Sequence, residues 1–134
     1  MVLRVVRLGS PRLPGEGLRI GTVRRPPRGV PKSEFASGNW YDCWYPNLAP
    51  SAEAVQTAQQ AQTEREWQAF AKRYRAEMAQ PDNRHTLALL AALSHHADFS
   101  VGCYCADEAR CHRSLLRELL REQGARLAPG AEQG

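Results

Sequence analysis

The sequence predicts an α/β domain, a small and mostly parallel sheet flanked by helices in a single compact unit. Three observations predict it. A valine- and leucine-rich stretch at 2–8 and an alternating apolar and polar stretch at 18–24 have the length and pattern of strands. Apolar residues recur at helical spacing over 64–79, 83–95 and 109–123. Between the last two of these, 98–105 reads as a buried strand that runs through a short loop into a helix. Strands first, helices next and a closing strand–loop–helix unit give a sheet covered by helices.

At 134 residues, with 43% hydrophobic and 24% charged side chains, the chain has the size and composition of one domain able to bury a core. We expect that domain to occupy 1–127 and the tail APGAEQG, 128–134, to be disordered. No apolar run is long enough to cross a membrane as a helix. The start, MVLRVVRLGSP, is interrupted by arginines and lacks the apolar centre of a signal peptide. A cytoplasmic protein with reduced thiols is therefore expected, so its four cysteines are not read as bridges.

Taken in order, VLRVVRL forms the first strand, and GSPRLPGEG is turn chemistry. In LRIGTVR, Leu18, Ile20 and Thr22 face one way and Arg19, Gly21 and Val23 the other. Three prolines keep the following RPPRGVPKSEFASGN non-helical. WYDCWY, 40–45, is extended, with Trp40, Asp42 and Trp44 on one face and Tyr41, Cys43 and Tyr45 on the other. Ser51 caps a short helix over about 52–61. Thr63 and Glu66 have capping-box spacing, and behind them Trp67, Phe70, Ala71, Tyr74 and Met78 form a stripe. Leu87, Leu90 and Ala91, with Leu93 as a further candidate, face inward from the next helix. Cys111, Leu115, Leu116, Leu119 and Leu120 do so from the last, which Gly124 ends.

The densest chemistry lies in CYCADEARCHR, 103–113: three cysteines, one histidine and two arginines in eleven residues. It spans a strand end and a helix start. Ligands of α/β sheets sit beyond the carboxyl ends of strands, and a helix N-terminus attracts anions. Arg113 and His112 suit an anion there. A thiol in such a place has its thiolate stabilised, which makes Cys105 the candidate nucleophile. The spacing departs from that of a phosphatase loop, because Arg110 comes one residue too early after Cys105. Cys103, Cys105, Cys111 and His112 also form C-x-C-x5-C-H, a countable set of zinc ligands. Against zinc stand the C-x-C spacing and the divergence of Cys111 and His112 by about 100° on a helix. No cofactor or metal site is assigned on that basis, and zinc is kept as the weaker reading. As plain packing residues, Cys103 fits a strand core and Cys111 a helix stripe. Arg113 has a bland alternative too, pairing with Asp107 or Glu108.

Elsewhere, the net charge of +4 permits an acidic partner. Arginines cluster in RRPPRG, 24–29, where the prolines present Arg25 and Arg28 to a phosphate or carboxylate. The aromatic residues around Trp44 can stack on a base or pack in the core. Asp42 among them is a candidate acid/base, or else the partner of an arginine.

GLRIGTVRRPPRGVPK, WYDCWYPNLAPS and FSVGCYCADEARCHRSLLRELLREQGA together resemble the signatures of the domain of unknown function 488 family, also called YeaO-like. The resemblance covers about 1–127 and implies a small bacterial or archaeal α/β domain with no established activity. It rests on Arg25, Arg28, Gly29, Asp42, Trp44, Pro46, the stretch Leu48 to Ser51, Cys105, Cys111, His112 and Arg113. A second type of YeaO-like relative lacks the cysteine-rich loop, which favours the arginines, Asp42 and the helix start as the site.

The leading expectation is a domain that binds a nucleotide or other phosphate-bearing ligand. Arg25, Arg28, Arg113 and Trp44 would bind it, with Cys105, His112 and Asp42 as catalytic candidates should there be turnover. The alternatives are a nucleic-acid-binding module and a zinc- or thiol-based structural or redox protein.

Overall fold

The computed structural model describes residues 1–105 and 110–129. Four strands, β1 (Leu3–Arg7), β2 (Leu18–Gly21), β3 (Cys43–Trp44) and β4 (Phe99–Cys103), make one sheet in the order β1-β4-β2-β3. Every pairing is parallel. Four α-helices follow the chain: α1 (Ala52–Gln60), α2 (Glu64–Met78), α3 (Pro81–Leu93) and α4 (His112–Glu122). The α/β class read from the sequence is the class observed, with every strand pair parallel.

Parallel neighbours need crossovers, and here the crossovers differ in kind. The connections β1→β2 and β2→β3 contain no α-helix, only a short 3-10 turn at Lys32–Glu34. The β3→β4 connection holds α1, α2 and α3, and α4 follows β4. The helices bury Trp67, Phe70, Tyr74, Met78, Leu87, Leu116 and Leu120 against Leu3, Val5, Phe99 and Val101 in one core. Residues two apart on a strand share a face, so this core marks the helical side of the sheet. The two non-helical crossovers and the 40–41 segment contribute to a second, smaller cluster around Leu8, Val23, Tyr41, Cys103 and Cys111.

Local signals place the helix ends as read. The Ser51 side chain accepts from the Ala54 N–H, and Thr63 and Glu66 close the expected capping box. The aromatic segment is less regular than its alternation suggested: only Cys43–Trp44 pair as a strand, against Ile20 and Gly21. Near the C-terminus, Leu127 bridges to Leu3 and the Ala128 N–H donates to the Leu3 carbonyl. Residues 130–134 of the expected disordered tail lie outside the described residues.

Candidate functional site

All four strands point the same way, so their carboxyl ends share one edge, where parallel sheets bind ligands. A cleft of about 760 Å³ opens there. Its walls come from the end of β1 (Arg7, Leu8 and the turn to Pro11), from the loop after β2 (Arg25 to Arg28), and from Trp40 and Tyr104. That volume is in the range of small-molecule sites.

The sequence builds this cleft locally. Gly9 takes φ +93°, a conformation that glycine adopts without strain, and a Cβ there would come within 2.9 Å of the Trp40 ring. Trp40 and Tyr104 meet edge to face with centroids 5.9 Å apart. The Tyr104 hydroxyl donates to the Arg25 carbonyl at 2.8 Å, fixing the arginine loop over the strand ends. Arg7 Nε donates to the Tyr104 carbonyl. Among the described residues no carboxylate pairs with Arg7, Arg25 or Arg28. Three uncompensated guanidinium groups beside two aromatic rings make a cleft suited to an anion carrying a flat group.

The residues read together from the sequence fall in three places. Arg25 and Arg28 line the cleft. Asp42 and Trp44 border a separate hollow with Lys32, Phe35 and Tyr41. There Asp42 receives both Arg12 guanidinium nitrogens, at 2.8 and 3.1 Å, and the Arg19 backbone N–H. Burial would raise its pKa, but these donors and the two positive charges outweigh burial and hold it below the usual range. The Trp44 indole N–H is committed to the Val23 carbonyl, 2.7 Å away.

The third place is the start of α4. Arg113 is 4% exposed, and its NH2 donates to the Cys105 carbonyl. Its Nε is buried with no hydrogen-bond partner among the described residues. Asp107 and Glu108, weighed as its partners, lie outside the described residues. His112 is 8% exposed, and its Nε2 lies 2.9 Å from the Thr22 carbonyl. A carbonyl accepts only, so Nε2 carries the proton and Nδ1 keeps its lone pair. Burial pushes the His112 pKa down to about 4, against the raising effects of the Thr22 carbonyl and of Cys105.

Nδ1 faces the Cys111 sulfur at 3.8 Å, and the Cys111 and Cys103 sulfurs are 2.7 Å apart. Both of these cysteines are buried, whereas Cys105 is exposed. Hydrogen bonds from the Cys103 and Cys111 thiols, with the positive field of Arg113, draw the Cys105 thiol far down toward thiolate.

Sequence reasoning missed Arg7 and Tyr104 as cleft residues, and weighed Trp40 for base stacking only as one of four aromatics with Tyr41, Trp44 and Tyr45. Arg7 was assigned to a strand, and its position as the last residue of β1 was the one available signal. Nothing local in the sequence shows that Trp40, rather than Trp44, meets the arginine loop.

Fold and cleft together define a small parallel α/β domain with an arginine-lined cleft at the carboxyl edge of its sheet. The chain matches the family model DUF488-N3a, described as the active DUF488-N3 subclade, over residues 3–124. It therefore belongs to the DUF488 family, whose function is unknown. Comparison with curated proteins and with solved structures returned no match.

Proposed function

We propose that this protein binds a small phosphate-bearing ligand, of nucleotide type, in the cleft between Arg7, Arg25, Arg28, Trp40 and Tyr104, and that it does so in the cytoplasm. The observation that carries this reading is the set of three arginines, without carboxylate partners among the described residues, around a cleft walled by two aromatic rings. Guanidinium groups take phosphate oxygens in a bidentate fork, and an aromatic wall takes the face of a base. The cleft also lies beyond the carboxyl ends of β1, β4 and β2, the edge where parallel sheets bind ligands.

Isothermal titration with inorganic pyrophosphate, ADP and a mononucleotide tests the reading. Saturable binding that weakens at least tenfold in Arg25→Ala and Arg28→Ala supports it. No binding by any of these anions at millimolar concentration would sink it. A fluorescent single-stranded oligonucleotide, titrated at several salt concentrations, separates the nucleic-acid alternative. A polyanion releases counterions in proportion to the phosphates engaged, so its affinity falls steeply with salt.

A further inference from the structure

Outside the arginine cleft, the most concentrated chemistry is the cluster that joins the end of β4 to the start of α4. The sulfurs of Cys103 and Cys111 and a ring nitrogen of His112 lie within 4.8 Å of one another, and all three residues are buried. They come from two elements eight residues apart, so only the fold brings them together. Cys105, the exposed third cysteine, lies outside this three-atom group, two residues beyond Cys103 on the solvent side.

We propose that Cys103, Cys111 and His112 Nδ1, completed by Cys105 on the solvent side, bind one zinc ion. Three independent features argue for a metal rather than for ordinary packing. The first is the His112 ring. Its Nε2–H donates to the Thr22 carbonyl, which aims the Nδ1 lone pair at the sulfurs. A ligating histidine is held in this way, its second nitrogen bonded to a carbonyl that fixes tautomer and orientation.

The second feature is the sulfur pair. At 2.7 Å, Cys103 and Cys111 are closer than two uncharged thiols rest, yet well beyond the ~2.05 Å of a disulfide bond. Tetrahedral zinc with ~2.3 Å bonds sets two sulfurs about 3.8 Å apart, wider than this pair stands, so what the pair contributes is two buried thiols converging on one point beside the His112 ring.

The third feature is charge. Zinc held by three thiolates and a neutral imidazole carries a net negative charge that is costly to bury. Arg113 lies beside it, nearly buried, with its Nε unpartnered among the described residues and its NH2 on the Cys105 carbonyl. It would both offset that charge and hold the Cys105 backbone in place. Two or more soft thiolates with an imidazole favour zinc over magnesium, calcium or manganese.

Such an ion would clamp the end of the central strand β4 to α4. Each ligating thiol gives up a proton to the solvent, and no oxidant or reductant is required.

The test uses the intact chain. Native mass spectrometry of freshly purified protein should show one zinc per chain, lost on denaturation in acid. After chelator treatment and reduction, Co²⁺ should restore a spectrum with sulfur-to-cobalt charge-transfer bands and the visible bands of tetrahedral cobalt, and Zn²⁺ should bleach it. Cys105→Ser, at an exposed position, should stay folded and lose charge-transfer intensity in proportion to the drop from three thiolates to two. Cys103→Ser should abolish the cobalt spectrum. If that variant fails to fold, the wild-type and Cys105→Ser titrations still decide. A metal-free chain whose reduced form gives no cobalt bands overturns the proposal. So does a chain lighter by two hydrogens in which Cys103 and Cys111 are recovered as one linked peptide. A cobalt spectrum unchanged by Cys105→Ser removes Cys105 from the site.

Discussion

Arg19 and Glu16 form a two-pronged ion pair inside the protein, Nε to Oε2 at 2.8 Å and NH2 to Oε1 at 2.9 Å, with neither side chain more than 2% exposed. Further hydrogen bonds hold both partners. Arg19 NH1 donates to the Ser10 and Asn39 carbonyls, the Ser100 hydroxyl donates to Glu16 Oε2, and the Leu13 N–H donates to Oε1. The pair thus ties both non-helical crossovers to β2 and β4. Removing one partner leaves a buried charge uncompensated, at a cost of about 3–5 kcal/mol. Glu16→Ala should lower the urea midpoint by that equivalent. A shift worth less than about 1 kcal/mol would show that solvent reaches Arg19.

Acid should weaken the same region. Burial works to raise the pKa of Glu16, but its bonds from Arg19, Leu13 and Ser100 win, and the folded value lies below the ordinary 4.5. Asp42 is likewise held below its ordinary 3.8. A carboxylate with a depressed folded pKa contributes stability in full above the unfolded value. That stability drains away as pH falls through the folded value. Urea denaturation followed from pH 7 downward should therefore show a plateau, then a decline beginning near pH 4.5. Asp42→Asn should lower the plateau and make the decline shallower. A decline of unchanged steepness in that variant would show that Arg12 contributes nothing to the acid response.

Tyr41 is buried, and its hydroxyl has no hydrogen-bond partner among the described residues. Its ring lies on Gly21 so closely that a Cβ there would approach to 2.3 Å. Two opposite outcomes follow. Gly21→Ala forces the ring away and should destabilise by about 1–3 kcal/mol, the usual cost of overpacking. Tyr41→Phe keeps the ring and removes an unsatisfied hydroxyl, so it should leave the thermal midpoint unchanged or raise it. A clear loss of stability in Tyr41→Phe would mean that the hydroxyl has a bound water as partner.

The helices were legible because their signals are local. A capping box at Thr63–Glu66 and a stripe from Trp67 to Met78 lie within one segment and need no distant partner. The strand order was not legible: β4 enters between β1 and β2 from nearly a hundred residues away. The candidate site divides in the same way. RRPPRG could be seen as a presented arginine loop, because proline and arginine chemistry is local. Its aromatic partners, Trp40 and Tyr104, come from two other connections. The zinc reading was kept only as the weaker one, on the C-x-C spacing and on the divergence of Cys111 and His112 along a helix. Spacing describes ligands carried by one turn, whereas Cys103 and Cys111 face each other across a strand–helix junction. Arg19 sat on its assigned strand face in the sequence, but its partner Glu16 lay in a stretch read only as turn.

Tyr104 links the two halves of the cleft, and its hydroxyl separates positioning from packing. It donates to the Arg25 carbonyl at 2.8 Å while its ring meets Trp40. Tyr104→Phe keeps the aromatic wall and removes only the bond that holds the arginine loop, worth about 0.5–1.5 kcal/mol. Global stability should change little, because a loop can loosen without the core opening. Binding of pyrophosphate or a nucleotide should weaken by up to about tenfold, since the loop must be re-ordered each time an anion is held. Arg25→Lys keeps the charge and the loop but loses the planar fork, and should weaken binding as well. Equal affinity in wild type and Tyr104→Phe would place the ligand away from Arg25. A Tyr104→Phe loss as large as that of Arg25→Ala would mean that the hydroxyl itself touches the ligand.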